Sequence, residues 1–219
     1  DQSMKAEGGN DTVITINNIS YPFPIAINGI AMSSDFKYVY YCALGGYSLF
    51  QIPTSTLRNP SPTSNTGIRN VGRKVSQSDG ITHGREILYY GAIGLNAVYY
   101  WNTTKDLVDG KMDIDTVNMV SQFELARNNS KMQWPNSFGF DDKGWIWVAF
   151  TRLQDFKNMG TSLDDGEAFM RIFRIYVNET GYLYQADSRT QGNSAQTLSH
   201  ITVKTVVVLF FMILLTQYL

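Results

Sequence analysis

Short runs of alternating apolar and polar residues, rich in aromatics, are separated along this chain by turns of Gly, Asp, Asn and Ser. The clearest is Gln133 to Val148, where the turn Asp141-Asp142-Lys143-Gly144 delivers the strand Trp145-Ile146-Trp147-Val148. Similar units run from Gly29 to Tyr41 and from Asp79 to Gly91. In each, a short apolar strand, a polar turn and a strand of Tyr, Trp and aliphatic residues follow one another. Aligning Tyr38, Ile87 and Trp145 spaces the units by 49 and 58 residues, a repeat length that predicts propeller blades.

Between these units the pattern predicts strands almost throughout. Tyr38 to Ala43 and Tyr47 to Ile52 flank Gly45-Gly46, a hairpin turn. Pro53 to Thr66 is a connecting loop with at most one helical turn, around Ser55 to Arg58. Glu86 to Gly91 and Ala97 to Trp101 form a second pair, Thr116 to Arg127 mixes spacings and reads as strand plus loop, and Trp145 to Phe150 is the candidate inner strand of its blade. Arg152 to Gly166 is a long polar connection before the strand Phe169 to Val177. Three regions are expected: a partial propeller over 1–184, a polar linker over 185–204 and a hydrophobic tail over 205–219.

The tail changes the picture of location. Thr205 to Leu215 is uncharged and apolar but shorter than the roughly 20 residues of a comfortable spanning helix. Small residues around Asn193 precede a spacer and this run, the order of a GPI-attachment signal with Asn193 as attachment site. A tether of this kind, a spanning helix and a tail without function all stand open. Five N-glycosylation sequons begin at Asn10, Asn18, Asn102, Asn128 and Asn178 and favour a secretory route. No signal peptide precedes Asp1 in the sequence given.

Charge and chemistry mainly exclude. With 18 basic and 19 acidic residues the net charge is −1, so no broad field recruits nucleic acid. The single Cys42 reads as a buried thiol, and two histidines cannot build a metal cluster, so no metal and no cofactor are expected. Ser76, Ser78, Asp79 and His83 lack a nucleophile elbow and read as a polar turn entering a blade. Asp109, Asp113 and Asp115 have the wrong spacing for a calcium loop. Tyr40, Tyr41, Tyr89, Tyr90, Trp145 and Trp147 read first as packing between sheets and second as a channel lining that would stack an aromatic ligand.

The strings GIAMSSDFKYVYY, LFQIPTSTLRNP, SQSDGI, NAVYYWNT, MQWPNSFGFDDKGWIWV and TRLQDF, in this order from Gly29, resemble the yellow/major royal jelly protein family of insects. The resemblance implies an all-β, six-bladed β-propeller behind a signal peptide. Here it implies an incomplete set of about three to four C-terminal blades. It also implies a secreted, glycosylated protein with a role in pigmentation, cuticle or development, through a small-molecule site in the central channel. Ligand-binding positions carried over from the family are Asn136 and Thr151, the latter standing where family members that bind amines have Asn. The implied ligand is a small aromatic amine or catechol, bound without catalysis. The rival readings are a dopachrome-converting isomerase and an interaction or storage protein with no ligand.

Overall fold

The computed structural model describes residues 1–59, 67–159 and 166–184. Two short 3-10 turns, Gln2–Met4 and Gly9–Thr12, lead into a hairpin of β1 (Val13–Ile16) and β2 (Ile19–Pro22). Asn17 and Asn18 join these strands at φ of 49° and 68°, the left-handed pair that a tight hairpin turn requires. A first antiparallel sheet then meanders through β3 (Ile27–Met32), β4 (Tyr38–Ala43), β5 (Ser48–Pro53), α1 (Thr54–Arg58) and β6 (Arg69–Arg73), its strands in the order β3-β4-β5-β6. A second repeats the plan with β7 (Ile81–His83), β8 (Ile87–Ala92), β9 (Ala97–Asn102), α2 (Thr103–Gly110) and β10 (Gln122–Arg127). The third has β11 (Pro135–Phe140), β12 (Trp145–Thr151), α3 (Leu153–Met159) and β13 (Met170–Tyr176), in the order β11-β12-β13. The fold is all-β, built from successive antiparallel sheets.

Period-two alternation explains how the middle sheet is held. Leu88 and Tyr90 on β8 face the first sheet and pack with Tyr40, Cys42, Leu49 and Val71. Tyr89, between them, faces the third sheet and packs with Ile146, Val148 and Phe150. Both faces of β8 are therefore buried, which is why its sequence ILYYGA is almost continuously apolar. Tyr40, Tyr41, Tyr89 and Tyr90 are all 0–1% exposed, so the packing reading of these rings holds. Each such side chain contributes roughly 1.5–3 kcal/mol of burial. The far face of the third sheet differs: Trp147, Ile172 and Tyr176 are 41%, 51% and 56% exposed, and Arg174 lies 4.6 Å over the ring of Trp145.

Several elements depart from the sequence expectation. The polar stretch after Trp101 is the helix α2, whose first turn is capped where the Asn102 Oδ1 accepts the Lys105 N–H at 2.8 Å. Arg152 to Gly166 begins with α3 rather than an unbroken connection. The inner strand of the third sheet is β11, which neighbours β7, whereas Trp145 to Phe150 belongs to the middle strand β12. A run richer in bulky apolar residues marks the strand with sheet neighbours on both sides, not the one nearest the other sheets.

After β13 the chain returns beneath the second sheet. The Glu179 carboxylate accepts the Glu86 N–H at 2.6 Å, the Ile87 N–H at 3.2 Å and the Tyr89 hydroxyl at 2.7 Å. Tyr182 meets Phe36 of the first sheet edge to face at 5.7 Å. Replacing Glu179 by Ala strands three donors and is expected to cost about 1–3 kcal/mol. The check is a fall in the urea midpoint together with faster hydrogen exchange at the Glu86 and Ile87 amides.

Candidate functional site

The first strands β3, β7 and β11 stand side by side, and a similar triplet of a polar, a small and an apolar residue lies at the start of each: Asn28-Gly29-Ile30, Asp79-Gly80-Ile81 and Asn136-Ser137-Phe138. The polar residue leading each triplet therefore arrives at one end of three neighbouring sheets. Glycine makes the approach feasible. A Cβ on Gly80 would sit 2.2 Å from the Asn136 carbonyl oxygen, and one on Gly29 would sit 2.8 Å from that of Asp79. Only residues without a side chain let the strands close this tightly.

Asp79 is the centre of the cluster. Its Oδ1 accepts the Asn28 Nδ2–H at 2.7 Å, and its Oδ2 accepts the Trp134 Nε1–H at 2.7 Å and the Asn136 Nδ2–H at 2.9 Å. The residue is 6% exposed. Burial pushes its carboxyl up to about 6, against the three hydrogen bonds that pull it down. All three partners are neutral, and no cation pairs with Asp79 among the described residues. Asp79 does belong to the polar turn entering a blade, directly before β7, and it is also a buried carboxylate lacking a counter-charge among the described residues. Its sequence neighbours are structural, Ser78 donating to the Gly91 carbonyl at 2.6 Å and Ser76 accepting the Gly94 N–H at 2.9 Å. His83 is buried against the Gly84 carbonyl and stacks on Tyr40 at 5.7 Å.

Trp134 carries backbone strain here. Its φ is 46°, a conformation that bulky residues rarely adopt. Side-chain contacts hold it: the indole donates to Asp79, meets Phe23 edge to face at 4.9 Å and is fully buried with Ile14, Ile16, Tyr21, Leu44 and Ile93. The β1–β2 hairpin thus roofs this end of the sheets. Gln77 fixes it there by donating to the carbonyls of Asp11 and Val13 at 3.2 and 2.9 Å.

The two ligand positions expected from sequence, Asn136 and Thr151, lie at this same end. Asn136 occupies a register shift of β11 opposite Phe150 and Ala149, and Thr151 ends β12 with its N–H on the Trp134 carbonyl at 3.1 Å. The Thr151 Oγ1 is buried and has no hydrogen-bond partner among the described residues. Asn28 and Asp79 were not expected as site residues, although the triplet repeat that aligns them with Asn136 is in the sequence.

Among the sequon asparagines, Asn10, Asn18, Asn128 and Asn178 are exposed, and Asn102 is half-buried as the cap of α2. Asn193 and the tail 205–219 lie outside the described residues. No helix among the described residues is long and apolar enough to cross a membrane. No group of three or more His, Cys, Asp or Glu positioned to hold a metal occurs among them either.

Solved structures similar to this chain include a luciferin-regenerating enzyme, at 17% identity with a TM-score of 0.45, covering 74% of this chain and 49% of that one. The calcium-binding protein regucalcin from Agrobacterium tumefaciens matches at 15% identity with a TM-score of 0.46, covering 76% and 52%. A streptogramin B lyase matches at 17% identity with a TM-score of 0.38, covering 64% and 41%. The chain spans about half the length of the first two. No curated protein matches it at a significant level. The sequence profile of the major royal jelly protein family matches residues 9–181, a span that takes in the roofing hairpin, all three sheets and every member of the Asp79 cluster, and the chain belongs to that family.

Proposed function

We propose that this chain supplies successive blades of a secreted yellow-type propeller that binds a small aromatic amine at the inner end of its blades, around Asp79. The observation that carries the reading is the Asp79 carboxylate itself, buried and held by three N–H groups but by no cation. A buried charge without a partner is costly unless a ligand of opposite sign completes it. An ammonium ligand supplies that charge, and the orphan hydroxyl of Thr151 offers a further polar contact at the same end. Further blades are supported by the exposed apolar face of the third sheet, where Trp147, Ile172 and Tyr176 form a surface of the kind that the other sheets bury. Exposure of Asn10, Asn18, Asn128 and Asn178 supports passage through the secretory route. Attachment through Asn193 remains part of the same proposal, testable by lipase release from expressing cells.

Titration calorimetry with dopamine and serotonin tests the reading on protein expressed from the full-length transcript. Saturable binding is expected at pH 7.5, weakening as the pH falls through about 6 and Asp79 takes up a proton. No heat with either amine would overturn it. A second reading, dopachrome rearrangement, rests on the same titration, because a carboxyl near 6 is suited to moving protons close to neutral pH. A conversion rate no faster than in buffer would remove that one.

A further inference from the structure

Away from Asp79, a cavity opens between the β1–β2 hairpin, the loop after β10 and the start of α3. It is a solvent-open cleft of about 740 Å³, within the roughly 300–1,000 Å³ of small-molecule sites. Its lining joins five amides, among them Asn17, Gln133 and Gln154, and the ring of Tyr21 to five charged residues, of which Arg152 pairs with Asp155 at 2.6 Å and Arg171 with Glu167 at 2.9 Å. Most of these amides hold each other in place. Asn17 and Gln133 donate to the backbone carbonyl of Asn129 at 3.0 and 2.9 Å, and Gln154 donates to the Gln133 Oε1 at 2.7 Å. One polar atom is left over. Gln154 is 1% exposed, and its Oε1 has no hydrogen-bond partner among the described residues. A buried acceptor in a pre-organised amide wall calls for a ligand that brings N–H or O–H donors and little charge.

The chain carries such a ligand's attachment point in the same wall. Asn128 lines the cleft and opens the sequon Asn128-Asn129-Ser130. Its Oδ1 accepts the Ser130 N–H at 3.1 Å, the Ser130 hydroxyl at 3.0 Å and the Lys131 N–H at 2.9 Å. Those bonds fix the side chain and leave Nδ2 as its uncommitted atom. We propose that Asn128 is glycosylated and that the first N-acetylglucosamine residues of its glycan lie in this cleft, their acetamide and hydroxyl groups meeting Gln154 and Gln133. In the modification, Nδ2 forms a bond to C1 of a polyprenyl-pyrophosphate-linked oligosaccharide. The C1–O bond breaks, the lipid pyrophosphate leaves with the electron pair, and the amide loses one proton. The inference rests on the secretory route proposed above.

The test is site-resolved release by peptide N-glycosidase on the full chain secreted from insect cells, read by peptide mass spectrometry. Under native conditions the Asn128 glycan is expected to come off about tenfold more slowly than those at Asn10 and Asn18, the factor that about 1.4 kcal/mol of cleft contact supplies. After denaturation the rates should converge, and Gln154→Ala should raise the native rate at Asn128 alone. Equal native rates would overturn the proposal, as would an unmodified Asn128 beside modified Asn10 and Asn18. Absence of glycan at all five sequons would remove the secretory reading as well. Stabilisation of the Asn128→Gln chain by added diacetylchitobiose, with a freely released Asn128 glycan in the parent, would assign the cleft to a free sugar and overturn attachment.

Discussion

Asp79→Asn is expected to weaken dopamine binding by roughly thirty-fold to several-thousand-fold, the equivalent of the about 2–5 kcal/mol that truncating one partner of a buried charge pair costs. The fold should survive. A carboxyl that titrates near 6 rather than 3.8 carries about 3 kcal/mol of unfavourable charge burial at neutral pH, which the amide removes. Against this, the new amide N–H₂ turns a donor toward at least one of the Asn28, Trp134 and Asn136 donors, costing about 1–3 kcal/mol. The two terms nearly cancel. The sign of the pH dependence then separates the variant from the parent. Because folding raises the Asp79 value, the folded state binds more protons than the unfolded state between about 4 and 6. Its contribution to stability therefore grows as the pH falls, by about 1 kcal/mol between pH 7 and pH 5. Urea midpoints at those two pH values should show this gain in the parent relative to Asp79→Asn. Equal affinity in parent and variant would remove Asp79 from the site.

Much of the fold was legible because sheets write their period directly into sequence. The alternation around Tyr89 and Tyr90, the Gly45-Gly46 turn and the single turn Thr54–Arg58 were all readable from residue type and spacing. The helix α2 was less so, since its capping residue Asn102 also ends a strand and its apolar stripe is short. Which strand lies innermost was less legible: Trp145 to Phe150 reads as inner because it is so apolar, yet it pairs on both sides, and a strand's place in its sheet is set by distant partners rather than by local period. The site suffered for the same reason. Asp79 sits beside serines in a sequence that looks like a turn, and its burial comes from contacts with Asn28 and Asn136, 51 and 57 residues away. Only alignment of the triplets beginning at Asn28, Asp79 and Asn136 would have brought it forward, and that alignment is visible once β3, β7 and β11 are known to be neighbours.

The cluster and its roof meet at Trp134, so this residue should give the largest loss of stability. Trp134→Ala is expected to cost about 3–5 kcal/mol, as fully buried Trp truncations do, through the cavity left among Ile14, Ile16, Phe23 and Ile93. A left-handed backbone at φ 46° adds about 1–3 kcal/mol of strain that the indole contacts now offset, and alanine keeps the strain while losing them. The expected result is a lowered denaturation midpoint with early exchange of the β1–β2 amides. Trp134→Phe separates packing from chemistry. Phenylalanine preserves the edge-to-face contact with Phe23 but removes the Nε1–H that donates to Asp79. With one of its three favourable hydrogen bonds gone, the Asp79 carboxyl should titrate above 6, and the pH at which amine affinity collapses should move upward with it. An unchanged pH profile in Trp134→Phe would mean that Trp134 only supports the roof and does not tune the carboxylate.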